Sequence, residues 1–186
     1  MVPRSDERPN VIGLQVSGKY EEGRATANST IRPGHALILT TDEQNPQQMP
    51  VGVTLNSSAA YTGPLRIAEV SLLGNPLPTS IQGMKLSDPY LGDTNAEAVI
   101  RGTNSGVAEF LYGDIVPFFI PAPGDIFRVR VATTANFAIG DMLQAHTDGT
   151  FVALASGISR VQVLEDVNFN DAANDALDLL LRVQAI

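Results

Sequence analysis

The residues of this chain able to do acid–base or ligand chemistry are few. His35 and His146 are the only histidines. In His146-Thr147-Asp148 a carboxylate follows an imidazole closely enough to orient it as a general base. No nucleophile motif accompanies either histidine: the sequence holds no Gly-x-Ser-x-Gly, no Walker-type loop and no His-Glu-x-x-His. The expectation is two satisfied turn or surface histidines and no catalytic residue. An all-β lyase or hydrolase would need a convergent acid–base pair, and the sequence offers none.

Gly-Asp followed by an apolar residue occurs at Gly113-Asp114-Ile115, Gly124-Asp125-Ile126 and Gly140-Asp141-Met142. These could be recurrent carboxylate sites. They also fit turns in which Gly takes a positive φ, Asp bonds the local backbone and the apolar residue opens a strand. The turn reading is preferred. Asp166-Val167-Asn168-Phe169-Asn170-Asp171 places oxygen ligands at alternate positions, as a calcium loop begins. An EF-hand loop requires Gly at its sixth position and Glu at its twelfth. Asp171 and Leu177 stand there instead, so an exposed acidic loop is expected, with no metal and no cofactor. Arg128 and Arg130 share one face of a predicted strand. They are either an exposed charged face or a contact for an acidic neighbour or a second copy of the chain.

The elements that position these residues include a repeat. Thr26-Ala27-Asn28-Ser29-Thr30-Ile31, Gly34-His35-Ala36-Leu37 and Thr41-Asp42 match Thr134-Ala135-Asn136-Phe137-Ala138-Ile139, Gly140-Asp141-Met142-Leu143 and Thr147-Asp148. Only the link from Ile to Gly differs, being Arg32-Pro33 in the first copy and absent from the second. A glycine turn, a short apolar strand and a polar turn form a β building block without chemistry of its own.

Period-two alternation predicts strands around 36–40, 51–55, 127–131, 151–155, 161–163 and 177–185, and the apolar run 65–73 predicts a buried strand. Val11–Lys19 reads as a short strand and Tyr20-Glu21-Glu22-Gly23 as a polar turn. A short helix is possible at 95–100. The fold class expected is mainly β, a β-barrel or β-sandwich with long irregular loops and an extended N-terminal arm. Residues 1–23 read as that arm with a first short strand. Residues 24–186 read as a single β domain with an irregular central insertion at about 74–106. The arm carries Arg4 and Arg8, and the insertion carries Pro76, Pro78 and Tyr90. With Arg128 and Arg130 these are the candidate subunit or partner contacts.

Composition narrows the classes. The chain has 186 residues, a formal net charge of −8 and 44% hydrophobic residues. That is enough apolar content for one sizeable core, and the acidity argues against nucleic acid as the main partner. There is no Cys, so disulfides, thiolate catalysis and Cys-type zinc sites are excluded. The first ten residues lack the apolar run of a signal peptide. The longest apolar stretch, Ile115–Pro121, is broken by proline and far short of the roughly 20 residues that span a membrane. No membrane partner is expected.

Four segments follow in order: Gly140-Asp141-Met142-Leu143, Asp148-Gly149-Thr150-Phe151-Val152, Val163-Leu164-Glu165-Asp166-Val167 and the closing strand Leu179–Ala185. This order resembles the capsid decoration, or cement, proteins of tailed bacteriophages and related viruses. Ala25–Val53, with its Ile-x-x-Gly element before a strand and Val51-Gly52-Val53 after it, is similar to the opening of such proteins. The resemblance covers about half the chain, and residues 74–106 have no counterpart in it. It implies a β-barrel or β-sandwich, often a homotrimer, bound outside the capsid at junctions of the major capsid protein. It implies a location on the virion's outer surface after synthesis in the host cytoplasm, and it carries no catalytic residues. Cement function calls for a rigid body, a reachable arm and strand edges open to pairing. The alternative is a carbohydrate- or receptor-binding β-sandwich module on a virion or cell surface. The absence of Trp and the four Tyr weigh against it, because such modules stack aromatic rings on sugars.

Overall fold

The computed structural model describes residues 12–26, 30–40, 51–69, 110, 112–132, 136–168 and 180–186. The regular elements among them are strands: β1 (Gly13–Gln15), β2 (Lys19–Ala25), β3 (Ala36–Thr40), β4 (Val51–Leu55), β5 (Arg66–Ala68), β6 (Ile115–Ile120), β7 (Ile126–Arg130), β8 (Asn136–Phe137), β9 (Met142–Ala145), β10 (Phe151–Ala153), β11 (Val161–Val163), β12 (Val167–Asn168) and β13 (Leu180–Ala185). The fold is mainly β, as the alternation predicts. The helix considered at 95–100, the insertion at 74–106 and the arm at 1–10 lie outside the described residues.

Strands β2, β4, β3, β5 and β6 close into a five-stranded barrel. Its interior is filled by Ala25, Ile31, Leu37, Val53, Ala68, Phe110, Val116 and Phe118. The turn expected at 20–23 is instead part of β2. That strand is polar along its length, yet its backbone pairs antiparallel with β6 and parallel with β4. Pairing on both sides decides its conformation, and side-chain composition does not.

Strand β6 explains the longest apolar run. Val116 and Phe118 point into the barrel. Phe119 points outward into a second core, edge-on to Phe127 with ring centroids 5.4 Å apart. A strand covered on both faces is apolar on both faces. Pro117 fits inside it because its carbonyl accepts the Glu69 amide at 2.8 Å, on the side away from β2. Its nitrogen faces the same way, so the β2–β6 ladder loses no bond.

The second core lies beneath a six-stranded antiparallel sheet of order β1-β7-β13-β11-β9-β10. Val129 sits opposite Leu181, Phe127 opposite Val183, and Val161 opposite both Ala185 and Leu143. All of these are buried, while Arg182 on the other face is exposed. Leu180 also faces away from this row and is buried, because the barrel covers it there at Gly34. A two-stranded ribbon, β8 with β12, pairs Phe137 with Val167 over the same core.

Among the described residues, the two edge strands of the six-stranded sheet are blunted, where cement function calls for edges open to pairing. Strand β13 lies inside the sheet, between β7 and β11. Edge strand β1 has an irregular register between Gly13 and Gln15, and the Gly13 amide donates to Glu69 Oε2 at 2.7 Å. Edge strand β10 is met from its far side by a parallel bridge, Val131 to Phe151, with Ala132 N donating to Phe151 O at 3.1 Å. Bulges and covered edges are the usual protection against stray pairing.

Candidate functional site

The three Gly-Asp pairs are turns. Gly113, Gly124 and Gly140 have φ of 88°, 93° and 96°, a region that glycine enters without steric cost. Asp141 Oδ2 accepts the Ala138 amide at 2.9 Å, closing its own turn. Asp125 does more. Its carboxylate accepts the Ser17 amide (2.9 Å), the Ser17 hydroxyl (2.7 Å), the Gly18 amide (3.0 Å) and the Ala122 amide (2.8 Å). It therefore pins the link between β1 and β2, the sheet and the barrel, to the β6–β7 turn. Burial would raise its pKa, but the hydrogen bonds from Ser17, Ala122 and Gly18 outweigh burial and hold it below the usual range. Tyr20 stands nearby. Burial, then the charges of Glu69 and Asp125, push its hydroxyl up to about 12, so it remains protonated.

The histidines lie at the seam between barrel and sheet. His35 is buried, and its Nδ1 accepts the Arg32 amide at 3.2 Å. Burial, then the charges of Arg130 and Arg32, lower its pKa to about 3, opposed only by Asp148. It is a neutral structural group. His146 Nδ1 lies 3.2 Å from Asp148 Oδ1, as the sequence spacing suggests. That carboxylate also accepts the amide and hydroxyl of Thr150. Burial would raise the Asp148 pKa, and these bonds lower it further than burial raises it. The carboxylate caps its own turn.

Of the candidate contacts, Arg128 is half-buried on the outer face of the sheet, directly opposite Arg182. Arg130, expected on the same exposed face, is buried. Its Nε donates to the Pro33 carbonyl at 3.2 Å, because the barrel covers that end of β7. Arg4, Arg8, Pro76, Pro78 and Tyr90 lie outside the described residues. From the acidic loop, Asp166 Oδ1 accepts the Ile139 amide at 2.9 Å, and Val167 and Asn168 form β12. Among the described residues no three acidic or histidine side chains converge as a metal site.

The seam also uses residues that the sequence does not advertise. Asn56 Nδ2 donates to the carbonyls of Ser58 (3.0 Å) and His146 (2.9 Å). Arg160 Nη2 donates to the carbonyls of Tyr61 (2.5 Å) and Gly63 (2.9 Å). Gln144 Oε1 accepts the amides of Ala155 (3.1 Å) and Gly157 (2.8 Å). Arg160 and its acceptors stand about a hundred residues apart in sequence, and no local pattern announces such a bond. Beside these residues runs a cleft with a cavity volume of about 10 Å³, lined by Asn56, Tyr61, Leu65, Ala145, Ile158 and Arg160 among others.

No family model matches this chain, and no curated protein matches it. Among solved structures, the N base of head fibre gp8.5 in bacteriophage phi29 is similar at 12% identity and a TM-score of 0.46. The match covers 90% of this chain and 92% of that one. A likeness this distant carries no role or partner from one chain to the other.

Proposed function

We propose that this chain is a non-catalytic structural protein of a virion surface, in its narrower form a capsid decoration protein. In that form it binds the outside of the major capsid protein lattice as a homotrimer and stabilises the head. The observation that carries the reading is how the resembling segments fold. Gly140-Asp141 turns into β9, Asp148-Gly149 turns into β10, Val163 ends β11, and the closing segment is β13. These four strands are hydrogen-bonded neighbours in the order β10-β9-β11-β13. Each resembling segment thus contributes residues to one run of neighbouring strands, although the third gives it only Val163 and ends at Val167 in the separate β8–β12 ribbon.

The fate of the reactive residues supports a scaffold role. Asp125, Asp148 and His35 are engaged in turns and at the seam, and the described cleft has room for about one water molecule. With the sheet's edge strands β1 and β10 blunted, attachment in this reading falls to loops and to side chains of the outer sheet face. The direct test is co-sedimentation of the purified chain with shells of the major capsid protein, against shells alone. Saturable binding at a fixed ratio to capsid subunits supports the reading, and no binding at any salt concentration opposes it.

One observation favours the second reading, a carbohydrate- or receptor-binding module. Tyr112 stands 48% exposed at the turn before Asp114, presenting an aromatic ring to solvent. Glycan-array binding that Tyr112→Ala abolishes would favour this module over the decoration protein.

A further inference from the structure

The strands of the six-stranded sheet carry charge of one sign. Arg128, Arg130 and Arg182 are their only charged residues, in a chain whose formal net charge is −8. Arg130 is buried. Arg128 and Arg182 stand on the outer face, directly opposite each other on β7 and β13. Their backbone groups turn away from one another. The Arg128 amide donates to the Ile12 carbonyl at 2.9 Å, the Arg182 amide donates to Glu165 Oε1 at 2.6 Å, and the Arg182 carbonyl accepts the Leu164 amide at 3.0 Å. They are therefore a non-hydrogen-bonded cross-strand pair, the kind whose side chains lie closer together. Like charges placed directly opposite destabilise a sheet.

Arg182 is not neutralised locally. It is exposed, and its guanidinium makes one long bond, from Nη2 to the Leu164 carbonyl at 3.5 Å. Glu165 uses Oε1 on the Arg182 backbone amide. Among the described residues no carboxylate forms an ion pair with the Arg182 guanidinium. Beside the arginine pair runs an uncharged row, in which Gln162 faces Gln184 on one side and Met142 on the other. All three are half-buried. The two glutamines are anchored, Gln184 Nε2 to the Gly124 carbonyl at 3.2 Å and Gln162 Nε2 to the Gly140 carbonyl at 3.4 Å.

Guanidinium groups hold carboxylates and phosphates through paired, charge-assisted hydrogen bonds. Two cations are too few for a nucleic-acid backbone, and the acidity of the whole chain repels a polyanion. One carboxylate on a protein surface needs only the pair, and it relieves the repulsion between them. We propose that Arg128 and Arg182 form the centre of a docking surface for an acidic protein partner, with an Asp or Glu carboxylate of that partner seated between the two guanidinium groups. The inference rests on the virion reading for the partner's place, since in that reading the acidic surface belongs to the capsid lattice.

The test uses the full chain and two probes. The first is a capped peptide with a Glu-Glu pair between glycines, titrated at low salt while the arginine Nε–H signals are followed by nuclear magnetic resonance. Saturable shifts at Arg128 and Arg182 are expected, with none from the matching Gln-Gln peptide. The double variant Arg128→Gln, Arg182→Gln should weaken binding about fivefold or more, and Arg182→Gln alone, at an exposed position, carries the test should the double variant fold poorly. Lys19→Gln, at an exposed cation on the barrel, should leave binding unchanged. No response to the peptide, or equal weakening by Lys19→Gln, overturns the proposal. So does a wild-type oligomer that the double variant breaks while the peptide does nothing, which would give the face to a second copy of the chain. The second probe is the capsid shell. Shells that bind wild type and double variant equally overturn the docking surface and leave the virion reading standing. Shells that bind neither contradict the virion reading, and the peptide titration then decides the arginine site alone.

Discussion

The amide of Ala36, in the first copy of the repeat, donates to the carbonyl of Gly149, next to the second copy, at 2.6 Å. The two copies thus meet at the seam, one opening barrel strand β3 and the other ending just before sheet strand β10. The contact is close in both directions. Gly149 has φ of +77°, and a Cβ there would lie 2.8 Å from Leu55 Cδ2 and 3.0 Å from the Ala36 carbonyl oxygen. Gly140 has φ of +96°, with nothing within 4 Å of its Cβ position.

These two glycines give a matched pair of variants. Gly140→Ala should cost only the backbone term, about 1 kcal/mol. Gly149→Ala adds a clash against backbone and should cost roughly 2–4 kcal/mol. Urea denaturation of both variants measures the difference. Equal losses would mean that the seam is looser than described.

Asp125 is expected to be the most sensitive carboxylate. Asp125→Ala removes the acceptor for three amides and a hydroxyl, and should cost about 3 kcal/mol. Asp141→Ala removes one exposed turn bond and should cost about 1 kcal/mol or less. Thermal melts that rank the two the other way would contradict the pinning role of Asp125.

Acid should loosen the seam in two stages. His35 titrates near 6.5 when unfolded and near 3 when folded, so between those values the unfolded chain binds more protons. Stability then falls as pH drops through that window. The groups facing His35 are the Arg32 and Arg130 cations and the Asp148 carboxylate. Asp125 and Asp148, both lowered when folded, add their losses only as pH falls below the ordinary carboxylate range. Denaturation midpoints for wild type and His35→Gln should diverge at pH 7 and converge near pH 4. A wild-type profile flat from pH 7 to 4.5 would rule out a buried neutral His35.

The closing strand tests the register. Leu181 is buried opposite Val129, whereas Arg182 is exposed. Leu181→Asp should remove most of a stability of about 5–15 kcal/mol. Arg182→Gln should change it by about 0.5 kcal/mol or less. A slip of one residue would reverse that order.

What the sequence discloses here is local. Alternation located β3, β4, β7, β10, β11 and β13, and the Gly-Asp pairs marked turns, because both signals depend on residues a few positions apart. The polar strand β2 was hidden, since long-range pairing alone makes it a strand. The burial of Arg130 and Leu180 was hidden for a related reason. Alternation tells one face of a sheet from the other, but not that a barrel covers the second face at one end. Asn56, Gln144 and Arg160 carry no signal of their own, because their roles depend on which loops the topology brings together.

The central claim is that this chain is a structural component of a virion exterior. It is tested most directly by electron cryo-microscopy of particles assembled with and without the protein. The expected result is extra density at regular positions on the outer capsid surface, present only in particles that contain the chain, with the two-part shape of a small barrel beside a six-stranded sheet. Identical particle surfaces in the two preparations, with the protein folded and present in excess, would contradict the claim.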